Sequence, residues 1–371
     1  MSAAVLPHPG ARTGLRPSDP HLAGRPRITA VGTAVPATSY TQAEILDVFG
    51  IQDPKVRSVF LNSAIDRRHL TLPPPGEDGT RRPEEQGALL AKHKAQGVEV
   101  GTRALRDCLD AAGADPADVG YLCCVTSTGF LTPGLSALII KEMGLDPRCQ
   151  RLDVVGMGCN AGLNGLNAVS GWAVANPGRL AVLLCDEACS AAYVFDGTMR
   201  TSVVNSLFGD GAAAVAVTAG PTAGPGPRLI GFGSYLITDA IDAMRYDWDD
   251  AHGRFSFFLD PQVPYVVGAH AETAVDALLE RYGLRRSDIA HWTVHAGGKK
   301  VVDSVAVNLG LTRYDLRHTT GVLRDFGNLS SGSFLFSHRR LAEEGTALPG
   351  EYGVMMTMGP GSTIETALLR W

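Results

Sequence analysis

The sequence predicts an α/β fold made of two similar halves, each with a helix-covered sheet. Three observations lead there. Short apolar runs, such as residues 121–125 (YLCCV) and 180–185 (LAVLLC), alternate with stretches of helical period, as strands do when helices separate them. A Gly/Pro-rich stretch at residues 219–227 divides the chain, with the composition of a linker. Two candidate reactive residues, Cys159 and His295, each end an apolar run just where a helix begins, one on either side of that linker. With 371 residues, 45% of them apolar, the chain is long enough for a core in each half, and we expect the halves at residues 28–220 and 228–371.

In chain order, residues 1–27 are rich in Pro, Gly, Ala and Arg without apolar period, which predicts a mobile tail that cannot offset its ordering entropy. Thr41, with Glu44 three residues on, predicts a capped helix running to about Phe49. Residues 72–82 (LPPPGEDGTRR) read as a surface loop. From about Lys92 the apolar positions recur at three and four until Gly113 stops the run, a long amphipathic helix. A strand at 121–125 follows, and Pro133 is expected to open a helix through Glu142. Residues 152–159 read as a strand entering a helix at 160–175, 180–185 as the next strand, and 291–295 as a strand entering a helix from about Lys299. Such alternation implies parallel pairing, and in open α/β sheets functional groups gather at the carboxyl ends of strands.

Composition excludes several classes. The net charge is -5 and like charges are scattered, so nothing matches the clustered Lys and Arg that a nucleic-acid backbone needs. No apolar window is long enough for a membrane span, and the N-terminus lacks the apolar core of a secretory signal; a cytoplasmic protein is expected. The seven cysteines are an odd number at irregular spacing, which fits neither a disulfide framework nor a zinc site. Most should pack as small buried apolar residues.

Cys159 is the exception. In VVGMGCNAGLNGLNA an apolar run meets glycines and then a helix, and a helix N-terminus favours a thiolate. The glycines there are spaced GxGxxxG rather than GxGxxG, which disfavours dinucleotide binding. His295, in HWTVHAGGKK, stands beside Gly297 and Gly298, where a substrate can pass close to the backbone. Asn328, in DFGNLSSGS, brings a carboxamide that matters if it is a second donor to the same anion. A Cys, His and Asn from separate loops suit acyl transfer through a thioester. A Cys hydrolase and an acyl-binding scaffold remain open on these residues alone.

The Cys159 segment, SLFGDGAAA at 206–214, His295-Ala-Gly-Gly, Gly327-Asn328-Leu-Ser-Ser and GPGSTIET at 359–366 together resemble the type III polyketide synthases, the chalcone synthase family of the thiolase superfamily. The resemblance runs from about Arg27 to Trp371. It implies a thiolase-like fold with helix-covered mixed sheets in a layered αβαβα core, a homodimer, and no metal, flavin or nicotinamide cofactor. Segments such as KVRSVFLNSAIDRRHLTLPPPG and CCVTSTGFLTPGLSAL are similar to bacterial members that use malonyl-CoA as starter and extender. Those members join four units, close a resorcinol-type ring in antibiotic biosynthesis, and work beside companion CoA-processing enzymes. The same catalytic set would serve a tetrahydroxynaphthalene or alkylresorcinol synthase.

By resemblance Cys159 is the nucleophile, while His295 and Asn328 stabilise the enolate left by decarboxylation. Phe208 and Phe257 align with the aromatic gates of the cavity, and Gly297 and Gly298 flank the substrate arm. Lys55 aligns with one of three basic residues at the CoA mouth, whose other positions hold Ser58 and Asn62. Arg57, Arg67, Arg68, Lys299 and Lys300 are the other cations available there. Thr132 aligns with a loop residue that reaches across the dimer. The family's proline after the histidine is replaced by Ala296.

Overall fold

The computed structural model describes residues 24–194 and 196–371. The first half runs β1 (Arg27–Ala34), β2 (Ser39–Thr41), α1 (Gln42–Val48), α2 (Pro54–Leu61), β3 (Arg67–His69), α3 (Gln86–Ala112), β4 (Val119–Thr126), α4 (Leu135–Met143), β5 (Gln150–Val155), α5 (Ala161–Ala175), β6 (Leu180–Glu187), α6 (Met199–Asn205) and β7 (Gly211–Thr218). The second runs β8 (Arg228–Leu236), β9 (Met244–Asp249), β10 (Arg254–Leu259), α7 (Val263–Glu280), β11 (Ile289–Val294), α8 (Lys299–Leu309), α9 (Arg317–Phe326), α10 (Ser333–Glu344), β12 (Tyr352–Gly359) and β13 (Thr363–Arg370). Most of the expected tail, residues 1–23, lies outside the described residues, and Arg27 already opens β1.

Nine strands form one continuous sheet in the order β11-β12-β13-β8-β1-β7-β6-β4-β5. The halves meet at a single residue pair, Arg27 with Arg228. On either side of that seam the order repeats: β1-β7-β6-β4-β5 in the first half, and β8-β13-β12-β11, one strand fewer, in the second. Directions repeat as well. β4 runs parallel to β6, as β11 does to β12, and β7 runs antiparallel to β6 and β1, as β13 does to β12 and β8. The sheet is therefore mixed, not parallel throughout. The link from β12 to β13 is only residues 360–362, far too short for a parallel crossover.

Helix α3 packs on β1, β6 and β7, and α7 packs on β8 and β13, so these form the outer layers. Between the sheets lie α5, which touches β4, β6 and β7 of one half and β12 and β13 of the other, and α10, which touches β1 and β7 as well as β11 and β12. This is the layered αβαβα arrangement. That position dictates the composition of α5, whose small and apolar residues pack inward while Asn167, Gly171 and Val174 mark its exposed side. A Cβ at Gly165 would meet the side chains of Leu183 and Val125 within 3 Å.

The local signals held where chain chemistry sets them. Thr41 and Glu44 form the reciprocal capping box of α1, and Gly113 ends α3 in the left-handed conformation. Boundaries moved elsewhere. Helix α3 begins at Gln86, ahead of its periodic part, and α4 begins at Leu135 behind Gly134 rather than at Pro133. The strand expected to reach Cys159 stops at Val155, because Gly156 and Gly158 take φ of 81° and 78° and turn the chain. All seven cysteines are buried and unbridged.

Candidate active site

Cys159 sits in a single 3-10 turn, Gly158–Asn160, between the end of β5 and the start of α5. The turn is held from above by the GPG segment at the end of β12. A side chain on Gly158 would collide with the Pro360 ring, and a Cβ on Gly359 would lie 2.8 and 2.9 Å from the backbone nitrogens of Asn160 and Cys159. Only glycines let these two segments approach so closely, which gives the closing motif its physical role.

The Cys159 thiol reaches Ser330 Oγ at 3.5 Å. Ser330 Oγ donates in turn to Glu187 Oε1 at 3.1 Å. Glu187, the last residue of β6, also accepts from Ser331 Oγ at 2.6 Å and from the Ser127 amide at 2.9 Å. Ser330 adopts φ 48°, a left-handed conformation that costs free energy for a residue with a side chain and that brings its amide to 2.8 Å from Asn328 Oδ1. With its oxygen thus occupied, Asn328 turns its Nδ2 toward Gly297 O at 3.3 Å. Asn328 is placed by backbone bonds as well: its amide donates to Leu207 O at 2.8 Å and its carbonyl accepts from Gly209 N at 3.0 Å. The 206–214 and 327–331 motifs are therefore one interlocked unit.

His295 follows β11 and is buried, with its amide bonded to Met356 O at 2.8 Å. Its Nδ1 has no protein partner among the described residues. A Cβ on Gly297 would lie 3.3 Å from Nε2, so glycine keeps that side of the ring open. Burial pushes the imidazole down to about 3. Burial likewise pushes the Cys159 thiol up to about 12; its hydrogen bonds with Ser330 and Asn328 oppose this and the Glu187 carboxylate adds to it. Burial thus favours the neutral form of both groups, and the thiol's hydrogen-bond partners are Ser330 and Asn328 rather than His295.

Aromatic side chains wall the space beside the thiol. Phe208 stacks on Tyr193 with ring centroids 4.1 Å apart and meets Phe257 edge-on at 6.3 Å. Tyr246 stands edge-on to Phe257 at 5.1 Å, and its hydroxyl donates to Ser127 O at 3.3 Å. Cys159 belongs to the same buried apolar cluster. Two clefts open on either side of Tyr193, one of about 590 Å³ lined by Phe208 and Leu72, the other of about 300 Å³ lined by Phe257 and Arg254.

Two family models match the chain: "Chalcone and stilbene synthases, C-terminal domain" over residues 251–371 and "FAE1/Type III polyketide synthase-like protein" over residues 74–224. A 3,5-dihydroxyphenylacetyl-CoA synthase of Amycolatopsis balhimycina is 69% identical over 345 residues, 93% of each chain. The chain belongs to the type III polyketide synthases. Another 3,5-dihydroxyphenylacetyl-CoA synthase, of Streptomyces toyocaensis, is 68% identical over 94% of this chain and 90% of its own length. The solved structure of the 1,3,6,8-tetrahydroxynaphthalene synthase of Streptomyces coelicolor superposes with a TM-score of 0.85 at 29% identity, covering 93% of this chain and 99% of that one.

The polar side chains expected around the CoA mouth of this type III synthase lie mostly at its surface. Lys55 and Lys300 are exposed, as is Thr132 on the loop between β4 and α4. Ser58 and Asn62, which replace basic residues of the family, bond to each other at 3.0 Å along α2. Lys299 is paired with Asp303 at 2.6 Å. Arg68 is not available to CoA at all: it is 1% exposed, because its guanidinium is turned inward onto backbone carbonyls. Gly298 takes φ 134° at the start of α8, and Ala296 is wholly buried.

Sequence reasoning did not single out Glu187, Ser330, Tyr193 or Tyr246. Glu187 carried a usable signal, an acid ending an otherwise apolar strand, LAVLLCDE. The two tyrosines carried none, since only packing brings them to Cys159. Among the described residues no cluster of three or more His, Cys, Asp and Glu is placed to hold a metal ion.

Proposed function

We propose that this synthase condenses four malonyl-CoA on Cys159 and closes the chain to 3,5-dihydroxyphenylacetyl-CoA. The observation that carries the reading is the joining of the Cys159 turn to Ser330 and through it to Asn328, whose Nδ2 donates to Gly297 O two residues from His295, in a chain 69% identical to a synthase of that product. The halves divide the work: residues 28–220 bring the thiol, and residues 228–371 bring the imidazole and the carboxamide.

As malonyl-CoA enters, Cys159 passes its proton to His295, and the thiolate and imidazolium each offset the burial cost of the other. The thiolate attacks the thioester carbonyl, and CoA leaves with the proton from His295. A second malonyl-CoA loses carbon dioxide, and its enolate oxygen accepts hydrogen bonds from His295 Nε2 and Asn328 Nδ2. The enolate carbon attacks the Cys159 thioester, a carbon–carbon bond forms as the sulfur bond breaks, and the longer chain returns to Cys159. Phe208, Tyr193 and Phe257 keep water away from these charges, which strengthens the donors. Ring closure leaves one methylene outside the ring beside the thioester. No cofactor takes part, since decarboxylation itself supplies the carbanion. Lys55 and Lys300, beside Gly297 and Gly298, are the residues we assign to the CoA arm.

A homodimer fits the same reading. Edge strand β5 and the turn after it expose Leu152, Val155 and Met157, and the loop leaving the same end of β4 exposes Phe130 at 71%, a surface suited to a second copy. Thr132 on that loop then faces the partner. A cytoplasmic setting and companion enzymes acting on the CoA product complete the proposal.

The deciding experiment is incubation of the purified protein with malonyl-CoA alone, with products identified by mass. An eight-carbon dihydroxyphenylacetyl product is expected, and Cys159→Ala should abolish label transfer to protein. A requirement for a bulky starter would overturn the reading, and label transfer that persists in Cys159→Ala would favour a binding scaffold.

A further inference from the structure

Arg68 and Gln42 form a buried polar pair, at 1% and 4% exposure, with Arg68 at the floor of the larger cleft beside Phe208. Arg68 donates from Nε and Nη2 to Gln42 Oε1 at 3.2 and 2.8 Å. Its Nη1 donates to Phe208 O at 2.8 Å and to Asn205 O. Gln42 Nε2 donates to Ser206 O at 2.7 Å and to Ser63 Oγ at 2.8 Å. Three carbonyls of the segment that carries Phe208 thus end on one guanidinium and one carboxamide.

The same arginine reaches the second motif. A Cβ on Gly327 would lie 2.9 Å from Arg68 Cγ and Cδ and 2.6 Å from Leu207 O, so the residue before Asn328 rests on the arginine's stem. Phe208 and Asn328 face each other in an isolated parallel bridge. The Phe60 ring lies under the guanidinium at 5.9 Å, and the buried Asp210 adds an attractive charge. A lysine could serve as a cation here, but it lacks the forked donors that reach Gln42 and the two carbonyls together.

We propose that Arg68, with Gln42, is a positioning residue that holds the Phe208 wall and Asn328 in one register, and so sets how far the chain grows before it closes. A loosened wall should let intermediates fold and leave early as lactones. The proposal rests on the reading of Phe208 as a cavity wall, and the test separates the two.

Arg68→Lys, Gln42→Ala and Phe208→Leu are compared with the parent chain on malonyl-CoA. Three quantities are read: acyl-enzyme formed at Cys159 by intact mass, the melting temperature, and the ratio of six-carbon lactone to eight-carbon ring product. Arg68→Lys and Gln42→Ala should still acylate and stay folded at assay temperature, while the lactone ratio rises about fivefold or more, since small misplacements near reacting atoms cost large factors in rate. A uniform fall in all products with an unchanged ratio overturns the proposal, because a merely structural role predicts that. If Phe208→Leu shifts the ratio and neither clamp variant does, the clamp fails and the wall stands. If Phe208→Leu leaves the ratio unchanged, the wall reading fails first. Should Arg68→Lys not fold, the ratio in Gln42→Ala decides.

Discussion

Asn328 shows how one residue is given a single chemical face. Its oxygen is occupied by the Ser330 amide and its backbone is pinned to Leu207 and Gly209; one Nδ2 hydrogen goes to Gly297 O, which leaves the other for an anion. Loss of one preorganised donor typically costs about 2.7–4 kcal/mol in the barrier. Asn328→Ala is therefore expected to slow decarboxylation a hundredfold or more while Cys159 still acylates, measured as carbon dioxide release against acyl-enzyme formation. Equal loss of both would count against the role. Glu187 acts on the thiol in the opposite sense to a cation, since its charge pushes the Cys159 thiol up through the bridging Ser330. In Glu187→Gln the pH midpoint of iodoacetamide alkylation at Cys159 should move lower; a midpoint that stays or rises contradicts this. Cys159, His295 and Asn328 were legible because each follows or precedes glycines at an abrupt change from an apolar run. Glu187 and Ser330 act only across the fold, through contacts that no spacing encodes.

At the scale of elements, the close approach of β12 to the Cys159 turn is the contact on which the site depends. Gly359 has an extended backbone, φ -169°, so alanine there meets no conformational penalty, but its Cβ would collide with Asn160 Oδ1 and with the backbone nitrogens of Asn160 and Cys159. Overpacking of this kind typically costs about 1–3 kcal/mol. Gly359→Ala should lose stability in that range in urea melts and lose acylation with it. Gly113→Ala, at a left-handed position with open space around it, should cost about 1 kcal/mol and leave acylation intact. If both variants acylate alike, the turn tolerates displacement and the argument from close approach fails. Capping and stop signals were readable at this scale because they depend on neighbours in the chain. The end of β5 was misplaced because two positive-φ glycines look, in sequence, like the small residues of a buried strand.

For the whole molecule, the exposed edge of β5 and the buried histidines each make a prediction. Val155→Lys, which places a charge on the unpaired edge, should shift the protein from dimer to monomer in analytical ultracentrifugation, whereas a monomeric parent chain would remove the basis for the dimer. His338 is buried with Nδ1 unpartnered among the described residues, and burial lowers it from 6.5 to about 4. Between those values the unfolded chain takes a proton that the folded one refuses. The stability this histidine supports is therefore present above pH 6.5 and lost as pH falls toward 4. His338→Leu should flatten the slope of unfolding free energy between pH 5 and 6 by about 1.4 kcal/mol per pH unit; an unchanged slope would show that the imidazole is already charged in the fold.

From the sequence alone came the α/β alternation, the Thr41 cap, the Gly113 stop and the candidate set of Cys159, His295 and Asn328, because each depends on period, punctuation or residue type over a few neighbours. The tertiary structure alone decided which strands pair antiparallel, the inward turn of Arg68, the Cys159–Ser330–Glu187 chain and the pairing of Tyr193 with Phe208. These join residues more than a hundred positions apart or in separate loops. Their energies come from burial and hydrogen bonding across layers, and such contacts exist only after the two sheets have closed on α5 and α10.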